Sequence, residues 1–183
     1  MMCLLASSHE GGVCNARICF MAELSRRGLL TGNWRSNAAA FRPPWSGDEQ
    51  HFLIECIRCD ACVPVCETRI LRRGRGGYPE IDFSKGECTF CYACADACPQ
   101  PLFHQRETSP WEYTLFVNDS CLAFSGVECR SCQDFCEMQA INFHPSAQGV
   151  SLPRLNRAAC NACGGCIAGC PVSALTMRHA DAS

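Results

Sequence analysis

The residues whose type and spacing can do chemistry are the cysteines, which make up 19 of 183 residues. Sixteen of them fall into four groups. Cys56, Cys59, Cys62 and Cys66 form the first, followed by Glu67. Cys88, Cys91, Cys94 and Cys98 form the second, followed by Pro99. Cys121, Cys129, Cys132 and Cys136 form the third, with a longer gap after Cys121 and Glu137 at its end. Cys160, Cys163, Cys166 and Cys170 form the fourth, followed by Pro171. Three thiolates two residues apart let one tight loop wrap three corners of a cubane and turn its peptide N–H groups toward the sulfides. The fourth cysteine lies beyond that wrap, at the predicted start of a helix, and points elsewhere. A proline after it suits the first helical turn, where its missing N–H is not needed.

The second and fourth groups reproduce the bacterial ferredoxin run that ends in Cys-Pro, in which the last cysteine ligates the neighbouring cluster. The three regular groups therefore predict three [4Fe–4S] clusters. Structural zinc sites use two ligand pairs separated by a longer loop, and no Cys/His array of that kind is present. The two halves also repeat. Cys59, Cys62, Cys66 and Glu67 recur 70 residues on as Cys129, Cys132, Cys136 and Glu137, and the stretch from Cys88 to Pro99 recurs 72 residues on. Gly126 stands where the partner of Cys56 belongs. Cys121 can replace it, and complete a fourth cluster, if residues 122–128 form a small loop. The alternative is that Cys121 is a buried thiol and the third group is incomplete.

The motif type implies cross-wise ligation. One cluster takes Cys56, Cys59, Cys62 and Cys98, and its neighbour takes Cys88, Cys91, Cys94 and Cys66. In the second half the sets are Cys121, Cys129, Cys132 with Cys170, and Cys160, Cys163, Cys166 with Cys136. Spacing alone also permits ligation within each motif.

Short alternating segments must carry these loops: 78–83, 111–117, 140–143, 150–155 and 174–177 read as half-buried strands. Short helices are expected over 93–98 and 167–170. The fold class is α+β: tandem bacterial-ferredoxin-like units, as two pseudo-twofold two-cluster modules, behind an irregular N-terminal arm. The expected boundaries are an extension at 1–20, an extended arm at 21–50, and units at 51–110 and 111–183. Units this small need clusters as internal staples, so the metal-free chain should be largely unfolded. Trp34, Phe41, Trp45 and Phe52 are read as packing over the first unit or as part of a partner-binding arm.

Bulk properties exclude several classes. A disulfide scaffold of about 10% cysteine needs export, and residues 1–12 show no basic, apolar signal segment. No apolar run reaches membrane-spanning length. A reducing cytoplasm is therefore expected, with metal as the use for the thiols. The formal charge of −2 falls to roughly −10 once four cluster cores with their thiolates are counted. Arginines are scattered among acids rather than gathered in a stripe, so no nucleic-acid partner is expected. His9, His51, His104, His144 and His179 are isolated; no catalytic site of the chain's own is expected. Gly74-Arg75-Gly76-Gly77 lacks the Lys-Ser/Thr end of a phosphate loop and reads as a turn. Asp60, Asp96 and Asp134 sit between cluster cysteines and either solvate the loops or tune potentials. Ser25-Arg26-Arg27-Gly28-Leu29-Leu30 starts like a twin-arginine signal, but the residues after it are polar. Cys3, Cys14 and Cys19 fit no motif; a translation start at Met21 would remove them and leave four cysteines for each group.

Segments 25–35, 42–49, 58–62, 75–79, 90–99, 127–137 and 170–174 resemble the NapF-type ferredoxin-like proteins of periplasmic nitrate reductase systems. The resemblance runs from Ser25 to Met177, and the 25–49 segment and irregular third group are its most specific parts. It implies a cytoplasmic accessory protein. Its partner would be the catalytic subunit of the nitrate reductase before export, whose maturation it would assist by supplying electrons or assembling its cluster. The alternative function is a multi-cluster electron carrier or electron-transfer subunit for a reductase.

Overall fold

The computed structural model describes residues 40–147 and 149–179. The readings of 1–39, including the start at Met21 and the basic segment, lie outside those residues. Residues 40–48 are irregular, and Asp48 then caps a helix, α1 (Glu49–Glu55), by accepting the His51 N–H at 2.9 Å. Only Phe52 of this helix is buried, which is why its weak apolar period gave no helix signal. Three more helices among the described residues are single turns: α2 (Ala93–Asp96), α3 (Ser131–Asp134) and α4 (Gly165–Ala168).

Each of these turns contains the third cysteine of its group, and among the described residues no helix starts at the fourth. The predicted helical start at the fourth cysteine is thus corrected to a tight turn. Arg69, Gln139 and Ser173 donate their N–H to the carbonyls of Cys66, Cys136 and Cys170 at 3.0, 2.9 and 3.3 Å. The same three residues are left-handed, at φ 55°, 49° and 50°, which stops any helix and swings the chain into a strand. Pro171 occupies the second turn position, where a fixed φ fits and no donor is used.

The strands follow from those turns. β1 (Leu71–Arg73) pairs antiparallel with β2 (Pro79–Ile81), with Leu71 opposite Ile81. Between them the glycine-rich segment turns at Arg75–Gly77, with φ 65° at Gly76 and 81° at Gly77, so the turn reading holds there. β3 (Tyr113–Val117) pairs with β6 (Leu175–His179), and β4 (Ile141–His144) with β5 (Leu152–Leu155), both antiparallel. The hairpins β1–β2 and β4–β5 each follow the fourth cysteine of their group, so the sequence repeat is a structural one there. It is incomplete elsewhere. Where β3 and β6 pair in the second half, the first half has one bond from His104 N–H to Trp45 C=O at 2.7 Å. Pro43, Pro44 and Pro101 remove the donors that a ladder would need.

One core joins the elements: Ile70, Leu71, Ile81, Phe83, Leu115, Ile141, Leu175 and Met177 pack with Cys62, Cys94 and Cys166. The arm closes over it. Ile81 N–H donates to Phe41 C=O at 2.7 Å, and the Phe41 ring packs on Phe83, Tyr113 and His179. Trp45 packs edge-on against Phe90 and Tyr92. Arg42 is buried, donates to both Glu49 carboxylate oxygens at 2.7 and 2.6 Å and to Pro79 C=O at 3.0 Å, and covers the Phe52 ring. The described aromatics of the arm are packing residues. Among the described residues no helix is long and apolar enough to cross a membrane.

Candidate functional site

All sixteen described cysteines are free thiols, and the folded loops gather them four at a time. Site I is a hollow bordered by Cys56, Cys59, Cys62 and Cys98, with Phe52, Leu102 and Phe103 in its wall. Site II is bordered by Cys66, Cys88, Cys91 and Cys94 with Ile70, Leu71 and Ile81. Site III is bordered by Cys136, Cys160, Cys163 and Cys166 with Leu115, Ile141 and Met177. At site IV the thiols of Cys121, Cys129 and Cys170 lie near enough to that of Cys132 to interact with it electrostatically. In every set three cysteines come from one group and the fourth from the other group of the same half, the cross-wise arrangement.

Backbone geometry prepares three of these sites. The residues flanking the second cysteine are left-handed in each regular group. Arg58 and Asp60 have φ 60°, Phe90 and Tyr92 have 54° and 72°, and Ala162 and Gly164 have 58° and 89°. Alternation of left- and right-handed residues turns successive N–H groups to one side, a concavity that favours an anionic group. Gly164 has a second reason to be glycine, since a Cβ there would meet the Phe83 ring. The third group lacks this pair. Its spacing is absorbed by a loop that ends in a Schellman motif: Val127 N–H donates to Leu122 C=O at 2.9 Å and Gly126 N–H to Ala123 C=O at 3.2 Å. Gly126 takes φ 79° at the turn-ending position. The loop brings Cys121 back to Cys132, and the residue that looked like a lost ligand is the one that lets it close.

Burial and hydrogen bonds set the thiols' proton affinity. Burial pushes Cys62 up to about 12, with Cys56, Cys98 and Cys59 adding to the rise. Burial likewise pushes Cys88, Cys94 and Cys166 up to about 12, and Cys132 to about 11. Cys66 is the exception. Desolvation raises it, but donors at Thr68, Leu71, Ile70 and Arg69 outweigh that and hold it below the usual thiol value. Ala140 and Ala174 donate their N–H to the Sγ atoms of Cys136 and Cys170, both at 3.2 Å. Such donors tune the potential of a group bound to the sulfur.

The donor set fits [4Fe–4S]. Among the described residues no three or more His, Cys, Asp or Glu side chains are placed to share a single metal ion. Four soft thiols spaced around an apolar-walled cavity suit a polynuclear group with one iron per thiolate. Three of the other polar residues singled out by their position have structural partners. Asp60 is held by Arg73 at 3.0 Å, and His51 and His104 stack on each other with Nε2 of His51 3.2 Å from Leu102 C=O. The left-handed pairs flanking Cys59, Cys91 and Cys163 escaped the sequence reading. Their only signal was the short x2 spacing, because Arg58, Phe90 and Tyr92 do not look like left-handed residues.

Comparisons with known proteins agree with the cysteine geometry. The 4Fe-4S dicluster domain model matches residues 55–101 and 127–178, one match in each half. The chain is 55% identical over 157 residues to the ferredoxin-type protein NapF of Escherichia coli K12, covering 86% of this chain and 96% of that one. It is 46% identical over 156 residues to the Haemophilus influenzae protein of the same name, covering 85% and 89%. A more distant likeness, 28% over 160 residues, is to the methylamine utilization ferredoxin-type protein MauM of Paracoccus denitrificans, covering 78% of this chain and 71% of that one. The chain therefore belongs to the NapF family of ferredoxin-type, 4Fe-4S dicluster proteins.

Proposed function

We propose that the protein is a four-cluster iron–sulfur accessory factor. It assists the cytoplasmic maturation of the catalytic subunit of a periplasmic nitrate reductase before export, through electron supply or cluster assembly. Sites I–IV hold one [4Fe–4S] cluster each, and the four clusters divide between two tandem ferredoxin-like modules, residues 51–110 and 111–183. The chain has no catalytic site of its own. The observation that carries the role is the extent of the kinship: 55% identity runs over 157 residues, well beyond the cysteine groups that any ferredoxin shares. The observation that supports the cofactor count is the closed loop at Cys121, which gives the irregular group a fourth thiol beside Cys132.

When bound, the clusters supply one-electron redox chemistry. The chain's own residues bind them through thiolates, orient N–H donors at Cys66, Cys136 and Cys170, and wall the sites with apolar side chains. A second reading, an electron carrier for a reductase, is favoured by the exposure of Cys59 and Cys91, which brings sites I and II to the surface.

Two measurements test these readings. Anaerobically purified wild type should carry about sixteen iron and as much acid-labile sulfide, and Cys121→Ala about twelve. About twelve in both would remove site IV. Co-purification should then recover the unexported catalytic subunit with this chain. Recovery of a reductase that turns over with it, and not the catalytic subunit, would replace the maturation role by that of a carrier.

A further inference from the structure

The four sites touch in sequence. Cys62 of site I and Cys94 of site II belong to one core, with their thiols near enough to interact electrostatically. At the other end α3, which carries Cys132 of site IV, packs against α4, which carries Cys166 of site III. These contacts lie within each half and are what paired motifs lead one to expect. The contact between halves is different. Cys88 of site II donates its peptide N–H to the carbonyl of Cys163 of site III at 2.9 Å. Around that bond the surfaces are keyed together: Phe83 lies against Gly164, and the Glu87 carboxylate lies against Gly165, each filling the space a Cβ would take. Trp111 packs on Phe83 and Phe90 from one half and donates its indole N–H to Asn161 C=O at 3.2 Å in the other.

We propose that sites I, II, III and IV form one unbranched electron path, with the hydrogen-bonded Cys88 and Cys163 as its middle junction, in place of two separate two-cluster relays. The inference rests on the four-cluster reading. Its chemistry is a series of one-electron exchanges: one site passes from the reduced to the oxidised state as its neighbour does the reverse, with no bond made or broken. At the junction Cys88 and Cys163, the residues that would hold the two clusters, are hydrogen-bonded to each other directly. Electrons entering at site I or II therefore reach site IV, and the ends of the path lie in different halves of the molecule.

The test removes the outer sites and asks whether the inner two still sense each other. The variant Cys56→Ala/Cys59→Ala/Cys121→Ala/Cys129→Ala, keeping about eight iron, is fully reduced with a europium(II) chelate and examined by electron paramagnetic resonance. The line predicts spin–spin splitting between sites II and III. Two unsplit, independent signals with the iron still bound would overturn it while leaving the cluster assignment intact. If that variant loses more iron, Cys121→Ala/Cys129→Ala alone decides. A line leaves site III coupled to site II, whereas separate relays leave it as an isolated signal. Should both variants lose further iron, spectra of reduced wild type at two microwave frequencies give the answer. Field-independent splittings from three neighbouring contacts support the line, and splittings from two unconnected pairs exclude it. Wild type with far less than sixteen iron would instead sink the cluster reading itself.

Discussion

Cys98 and Cys56 lie 42 positions apart in the chain yet border one cavity, so their fates should be tied. Cys56→Ala, Cys98→Ala and the double variant should each lose about four iron, because all three damage the same site. A double variant that loses about eight, measured by iron analysis, would establish ligation within each motif. Arg42 makes a second residue-scale prediction. It is buried between Glu49, Pro79 and the Phe52 ring, so Arg42→Met should cost about 2 kcal/mol. It should show as faster bleaching of the visible cluster absorbance in denaturant. The Tyr113 hydroxyl accepts the Arg42 peptide N–H at 2.9 Å, and burial pushes its pKa from 10.0 up to about 12. An ionisation raised in the folded state leaves stability intact below the unfolded value and drains it as pH climbs through the folded one. The protein should thus weaken between pH 10.0 and about 12. Tyr113→Phe should flatten that decline in an alkaline titration while lowering stability at neutral pH.

Two glycines separate backbone strain from crowding at the scale of the element. Gly126 ends the Cys121 loop at φ 79° with open space around it. Gly126→Ala should therefore cost about 1 kcal/mol and keep its iron. Gly164, at φ 89°, opens α4 directly against Phe83. Gly164→Ala adds crowding to the same strain, about 2–5 kcal/mol, and should lower the iron content at site III. Strands were legible in sequence wherever apolar residues alternate, as at 111–117 and 174–177, because pairing buries one face. β1 was not, since Leu71-Arg72-Arg73 has a single buried residue and too little length for a period. The ligands were legible because their spacing is chemical. The turns after the fourth cysteines were not, because Arg69, Gln139 and Ser173 adopt left-handed backbone without being glycine or asparagine.

For the molecule as a whole, the cysteines are not additions to a core but part of it: Cys62, Cys94 and Cys166 pack among Ile70, Leu115 and Met177. Removing iron with a chelator should therefore release near-ultraviolet circular dichroism and visible absorbance together, and protection from protease should vanish with them. Retention of the near-ultraviolet signal after complete iron loss would show a core that stands alone. The packing of one half on the other, through Cys88, Trp111 and Phe41, was invisible in sequence, because hydrogen bonds between ligand loops leave no periodic pattern.

The exchange of one cysteine between the groups of each half also sets an order in time. A chain leaving the ribosome has all four thiols of site II once Cys94 has been made, whereas site I still waits for Cys98. Later, site III is complete at Cys166, and site IV only at Cys170. In each half the inner site is the first able to accept its iron during synthesis, and the outermost sites are the last to close.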